Sequence, residues 1–563
     1  MLSVCLAWVI CGFTFLVFGK LLINIYNFFF KEKVYYGLAA TFFIGICSIG
    51  TLLSVLSLII PINSTVGIII FFTAILYAAY LHVIRKDTTW NGWFDRFIRL
   101  SSFTKWTIAF ILVILLIYNL MPPFLTDMQL YYMQTIMWNE SYPVIPGLGN
   151  IHGRFGFNSN ILLLSSAFSF NNIFPVRIYA ILTLSVFILI SWILSKAENL
   201  SSFFPKIALL FLCFMFIWGY NFFMSSPSTD ILPNVLVLFI ILNAIFDKNS
   251  YITKPLLYSI LPIYAITLKL SVIPVCLFFL YLLILLLKNK SYKPVAVLLS
   301  LSFITILPWL IRNIIITGYL IYPFPSLDLF SFDWEIPHNL VEEEKEYVSS
   351  WARMPGLSLE EYTNMKPGEW LKFWLLRHIH YLKLFLATYC LAAISPLIIF
   401  VLKKKKIINT FTDIFPWLIA FCGFIFWFML APDGRFGLSF ILASAIIPIL
   451  FIKGSFKIKI QNIIYKLMLF SFLALITYNV VDTSLRIPVN KDKLSYLYVP
   501  TSFNDLKDRR IAEFTTIRVG SIDIYVAGNS LCADHPIPCA PYQINNLEMR
   551  GDRIKDGFRI KTK

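Results

Sequence analysis

The sequence predicts an all-α polytopic membrane protein with about 12–14 transmembrane helices. Three observations carry this expectation. Of the 563 residues, 58% are hydrophobic and 14% charged, where a soluble domain has about 45–50% and about 25%. Mean hydropathy is +0.76. Apolar runs near the length of about 20 residues that crosses a hydrocarbon core recur along the chain. Together these exclude a soluble globular enzyme, a disordered chain and a fibrous repeat.

The apolar runs lie at residues 2–19, 35–60, 64–84, 106–123, 174–194, 204–224, 231–246, 255–268, 271–287, 294–316, 385–402, 407–430, 436–452 and 467–481. The first has no basic flank before it and no A-x-A-like site after it, so it reads as a helix and not as a cleaved signal. The connections sort by charge. One alternating set holds 23 Lys and Arg, from Lys20 through Lys403–Lys406 to Lys466, against Glu32, Asp87, Asp95, Glu198 and Asp247. The positive-inside rule places that set in the cytoplasm. The N-terminus and the C-terminal tail of this multi-pass protein are then extracytoplasmic. The net charge of +17 is therefore an orientation signal, and nucleic acid is not an expected partner.

The opposite connections are long. Residues 122–173 form one, and 317–373 form another with ten acidic and four basic residues. Interfacial helices are expected in these loops. Three regions follow: a three-helix segment at 1–105, a transmembrane core at 106–481, and a small extracytoplasmic α+β domain at 482–563, with a strand-like run at Ile522–Val526. Seven cysteines lie in apolar runs as packing residues. Cys532 and Cys539, in CADHPIPC, read as a disulfide in an oxidising compartment, with a metal pair using His535 as the alternative.

The polar residues sit at the ends of helices in the exterior loops, which suggests chemistry at the outer surface. The halves show no similarity to each other, as many transporters would, and no filter-like segment marks a channel. No GxGxxG, GxxxxGK[ST], HExxH or CxxC pair is present. The loop from Met121 reads MPPFLTDMQLYYMQTIMWNESYPVIPGLGNIHGRFGFNSN. Pro122 and Pro123 end a helix, and Asp127 begins a short one. Asp127, Tyr131, Tyr132 and Thr135 share its face, while Met128, Ile136, Met137 and Trp138 suit an interface. Asn150, His152, Arg154 and Asn158 follow as donors in a turn-rich segment.

A multispanning chain with an acid just after a helix in its first large exterior loop, followed by an interfacial helix, resembles the GT-C superfamily of membrane glycosyltransferases. The run YPVIPGLGNIHGRFGFN resembles a segment of uncharacterised bacterial membrane proteins of surface-polysaccharide loci. The resemblance covers the architecture and this loop. It implies a GT-C-like fold and transfer of a sugar from a polyprenyl-phosphate-linked donor to a glycan or lipid acceptor among membrane lipids. The family's early-loop acid carries over only to Asp127. Two departures stand out: Met128 follows where many members have a second acid, and three helices come before the one that leads into the loop, where many members have a single helix ahead of it.

That chemistry needs a base for an acceptor hydroxyl and cations for a departing phosphate. Asp127 is the candidate base, or holds a divalent cation, Mg or Mn, that activates the hydroxyl. Tyr131, His152, Arg154, Asn158, Asp230, Lys269, Arg312, Asn313, Asp433 and Arg435 are the candidate substrate-binding residues. Each also has a plain structural reading. Asp127 would cap a helix and pair with Arg154, and Asp230 would be an N-cap. Lys269 would snorkel, Arg312 would pair with an intramembrane acid, and Asp433 with Arg435 would form a turn. His378 and His380 are placed to touch lipid head groups. The stretch Leu340–Trp351 reads as a solvated helix, or as a lid carrying Glu344 or Glu346 as reserve acids. The alternatives to a glycosyltransferase are a surface-polysaccharide polymerase, a lipid-linked oligosaccharide flippase and a non-enzymatic scaffold.

Overall fold

The computed structural model describes residues 1–31, 33–87, 89–123, 125–454, 458–486, 500, 513–528 and 531–561. Glu32, Lys457 and most of the start of the polar tail lie outside them. Among the described residues, eleven helices are long and apolar enough to cross a membrane. Three shorter apolar helices, Ile231–Phe246, Pro255–Leu268 and Gly434–Leu450, join them. The chain is a multi-pass, all-α membrane protein with a small C-terminal segment of strands. Each of the fourteen apolar runs meets one of these helices. The largest differences in extent are at Leu2–Phe28 and Ile458–Arg486. Both run past the apolar residues, because a helix satisfies its own backbone whereas an interrupted one leaves bare N–H and C=O groups.

The core is apolar on all sides. Ile231–Phe246 is buried along almost its whole length, as a central helix must be. Gly434–Leu450 packs against Phe203–Tyr220, Ile231–Phe246, Lys383–Lys404 and Phe411–Leu430. The first helix meets Leu38–Leu56 at Gly19 and Gly45, where an added Cβ would lie 1.9 and 1.7 Å from a facing carbonyl oxygen. Small residues allow that approach. The first two helices also pack on Ala180–Glu198, and the second on Tyr292–Thr317, so residues 1–105 are built into the bundle.

The two long connections and the C-terminal strands gather at one end. Strands β1 (Phe514–Val519) and β2 (Ile522–Ala527) form an antiparallel hairpin, with Phe514 opposite Ala527. Strand β3 (Cys539–Ala540) runs parallel to β2. Strands β4 (Leu547–Met549) and β5 (Phe558–Ile560) pair antiparallel. Cys532 and Cys539 are disulfide-bonded. His535 rests against the rings of Phe514 and Tyr525. The disulfide loop grips the first long connection: Ala533 N donates to Gln129 O at 2.7 Å, and Gln134 Nε2 donates to Ala533 O and His535 O. Arg550 holds Asp333 of the second connection at 2.8 and 2.9 Å.

This clamp corrects one expectation. Met128, Ile136 and Trp138 are buried, so their helix is an internal layer between the bundle and the strands and does not lie on lipid. A better interfacial candidate is Trp370–Tyr381, which exposes Leu371, Phe373, Leu375, Leu376 and Ile379.

Candidate functional site

Three core helices stop short, each at a charged residue. Ile231–Phe246 begins after Asp230, Ile260–Leu268 ends before Lys269, and Gly434–Leu450 begins after Asp433 with Arg435 in its first turn. Acids at two N-termini and a base at a C-terminus agree with the helix dipoles. A cavity of about 920 Å³ opens where these helices end.

Asp127 enters from the first long connection. Its helix continues as a π-turn, Met128–Tyr132, into Met133–Ser141. Such turns admit one extra residue and often mark functional sites. This one directs Tyr131 and Tyr132 to the cavity, and Tyr132 Oη lies 3.2 Å from Thr229 Oγ1, beside Asp230.

An ionic cluster forms the floor. Arg435 Nη1 donates to Asp127 Oδ2 at 2.9 Å, and Arg435 Nε lies 3.2 Å from Asp433 Oδ2 and 3.8 Å from Asp230 Oδ2. Lys269 Nζ pairs with Asp230 Oδ1 and sits 3.7 Å from the centre of the Phe436 ring. Asp230 is therefore an ion-pair partner and makes no side-chain cap. Asp433 does cap, accepting from Arg435 N at 3.1 Å, so turn and cluster coexist.

Local sequence explains the placement. Lys269 is extended, with φ −162° and ψ 130°, between the helix before it and the 3-10 turn Leu270–Cys276. The break frees carbonyls, and Ser159 Oγ donates to Leu268 O at 2.7 Å. The turn before Arg435 is pinned by two indoles: Trp374 Nε1 donates to Pro432 O and Trp427 Nε1 to Asp433 O. At Gly434 an added Cβ would press on Tyr389 Oη, so a side chain there would have to displace that ring. Gly437 kinks the helix, and Asn234 Oδ1 accepts from the freed Ser439 N–H at 2.9 Å.

A second layer comes from the helix His338–Arg353. Its side chains Lys345, Val348, Ser349, Trp351 and Arg353 line the cavity, so the acidic stretch covers the site. Arg154 Nε forms an ion pair with Glu344 Oε1 at 2.7 Å, not with Asp127. Burial raises the pKa of the Glu344 carboxyl, which the Arg154 charge offsets in part. Burial works against the Arg154 charge, but Glu344, Tyr131 and Asp127 outweigh it and raise its pKa. Burial, aided by Tyr132 and Asp127, pushes the Tyr131 phenol up. Arg377 and His378 of Trp370–Tyr381 complete the cover. His378 Nδ1 lies 2.7 Å from Trp374 O. A carbonyl only accepts, so Nδ1 carries the proton, and burial lowers the pKa of the ring.

Of the expected residues, Asp127, Tyr131, Arg154, Asn158, Asp230, Lys269, Asn313, Asp433 and Arg435 line this one cavity. Two do not, which corrects their expected role. Arg312 lies behind the wall, donating to Asn158 Oδ1, Ser57 Oγ and Asn139 Oδ1. Among the described residues no acid pairs with it, and a neutral cage takes its charge. His152 is buried against Phe155 and Tyr542, with Nδ1 3.2 Å from Tyr542 Oη. Burial lowers its pKa to about 3, with the Arg154 charge adding to the shift. Arg353, Arg377 and Tyr389 are lining residues that the sequence did not single out. Arg377 adjoins His378 in an amphipathic helix, and that pattern was its available signal.

The family model described as Domain of unknown function (DUF8201) matches residues 1–442. The chain belongs to the DUF8201 family. No curated protein and no solved structure matches the chain. All cavity-lining residues, from Leu125 to Leu438, fall inside the DUF8201 region. The last long helix and the disulfide-bonded strands lie beyond it.

Proposed function

We propose that this DUF8201 protein is an integral membrane glycosyltransferase. It moves a sugar from a polyprenyl-phosphate-linked donor to an envelope glycan or lipid acceptor at the extracytoplasmic face of a bacterial plasma membrane. The supporting observation is that Asp127, Lys269 and Arg435 share one cavity at the end where the long connections gather. The orientation rests on the loop charges, and the reaction class rests on the GT-C resemblance.

Arg435 holds Asp127 through Oδ2. Oδ1 is left to accept a proton from an acceptor hydroxyl. Lys269 and Arg435 stabilise the charge that develops on the departing phosphate. Burial of the Tyr131 phenol keeps it protonated, as a donor to a sugar oxygen. Apolar side chains at the cavity, Phe222, Met429 and Leu430, are exposed and suit a lipid chain. The donor set does not fit a divalent cation. A guanidinium and an ammonium lie among the three carboxylates, and the described residues hold no group of three His, Cys, Asp or Glu close enough to bind one. Asp127 is accordingly assigned as base.

The test is Asp127→Asn in a strain whose surface glycan is profiled. Loss of one glycan residue at normal protein level is expected. An unchanged glycan would remove Asp127 from the chemistry.

A further inference from the structure

The cavity's charges fall into two tiers. On the floor, Lys269 and Arg435 are met by Asp127, Asp230 and Asp433, and Arg154 is met by Glu344. The remaining basic lining residues, Lys345, Arg353 and Arg377, have no carboxylate partner among the described residues. All three belong to the covering helices His338–Arg353 and Trp370–Tyr381. Arg353 lies over the Trp370 ring at 5.1 Å and gives its hydrogen bonds to neutral oxygens: Ser349 Oγ, Tyr362 Oη and Met429 O. Its Nε is buried without an acceptor. Arg377 is half-buried in the same wall.

Three unmatched cations in one cleft repel one another and focus a positive potential on its interior. A neutral acceptor glycan gives no return for that arrangement, whereas an anion does. A sugar joined to a lipid through one phosphate is singly charged, and Lys269 and Arg435, though paired with carboxylates, already give that phosphate two donors. A sugar joined through two phosphates carries a second charge and a more highly charged leaving group. We infer that the covering helices form a second phosphate subsite, so that the donor is a lipid diphosphate sugar and not a monophosphate.

This rests on the glycosyl-transfer reading and narrows it. The sugar-bearing phosphate lies against Lys269 and Arg435, and the lipid-bearing phosphate lies under Arg353, Arg377 and Lys345. The acceptor O–H proton passes to Asp127, and the acceptor oxygen bonds to the anomeric carbon. The bond from that carbon to the phosphate oxygen breaks, and its electron pair leaves with the lipid diphosphate.

The test uses the full chain in lipid nanodiscs, with farnesyl monophosphate, farnesyl diphosphate and inorganic pyrophosphate as probes, in binding titrations without added metal. The diphosphate is expected to bind about tenfold tighter than the monophosphate. Arg377→Gln with Lys345→Gln is expected to abolish that preference, and a thermal melt close to that of the wild type shows that the variant is folded. Arg377→Lys should restore part of the preference. Equal affinities in the wild type would overturn the second subsite and leave the glycosyl-transfer reading standing. A preference that survives the double variant would overturn its placement on the covering helices. Inorganic pyrophosphate binding as tightly as the farnesyl ester would overturn the lipid assignment. Binding of neither farnesyl ester would overturn both this inference and the reading beneath it.

Discussion

Asp230→Asn is the sharpest probe of the ionic floor. The Asp230 side chain is 2% exposed and that of Lys269 22%, so the pair is largely out of water. Removing the carboxylate leaves the ammonium against Phe436 with the Arg435 guanidinium nearby. Breaking one partner of a buried pair costs about 3–5 kcal/mol. The partial exposure of Lys269 and the help of the remaining acids place the expected cost near the lower end, about 3 kcal/mol. Asp230→Asn combined with Lys269→Met removes both charges, and its expected cost is only about 1 kcal/mol. A Lys269→Met single strands the more buried Asp230 carboxylate and is expected to cost about 3 kcal/mol as well, so the double variant should fall well below the sum of the singles. The assay is unfolding in mild detergent by titrated SDS, followed by tryptophan fluorescence. A single variant within about 0.5 kcal/mol of wild type, or a double variant at the sum of the singles, would refute the buried-pair account.

The other predictions concern the layers around the floor. Cys532→Ser with Cys539→Ser opens a short loop and should cost about 2–3 kcal/mol; because that loop grips Gln129 and Gln134, transfer activity should fall as well, whereas unchanged stability and activity would show that the clamp is idle. His152 has a native pKa lowered to about 3 by burial, so the unfolded chain binds the extra proton below its ordinary value of about 6.5. Stability from this group is therefore complete above about pH 6.5 and is lost as pH falls, by about 1.4 kcal/mol per unit. His152→Gln should flatten that part of the pH–stability curve between pH 7.5 and 5, read by thermal melts. Glu344→Gln should cost about 2–3 kcal/mol by leaving Arg154 without its counter-charge, and stability assays on Arg154→Gln with Glu344→Gln should show partial recovery.

Much of the fold is legible because crossing a membrane imposes length and apolarity at once. Fourteen runs return as fourteen helices, and Ile231–Phe246 coincides with its run to the residue. The floor is legible for a related reason. A charge at the end of an apolar run is costly unless it is partnered, so Asp230, Lys269 and Arg435 stand out before their contacts are known. Their partners are less visible. Asp127 and Arg435 are far apart in sequence, and the same holds for Arg154 and Glu344, so only the packed bundle joins them. Arg312 shows the converse. Its position marks it as a charge in need of an answer, but the answer is three neutral oxygens from three elements, Ser57, Asn139 and Asn158. His152 sits in a donor-rich turn, yet a tyrosine from the C-terminal segment covers it. The burial of the helix carrying Met128, Ile136 and Trp138 was hidden likewise, because the segment that clamps it, through Phe558 on Trp138 and the disulfide loop on Gln129 and Gln134, comes about 400 residues later in a stretch of weak periodicity.

The central claim is that Asp127 takes a proton during sugar transfer from a lipid carrier. The most direct measurement is mass spectrometry of the polyprenyl-linked lipids in a deletion strain carrying wild-type or Asp127→Asn protein at equal levels. The account predicts that one lipid-linked sugar accumulates in the deletion, disappears with the wild type, and persists with Asp127→Asn. Clearance of that lipid by Asp127→Asn, or no accumulation in the deletion, would contradict it.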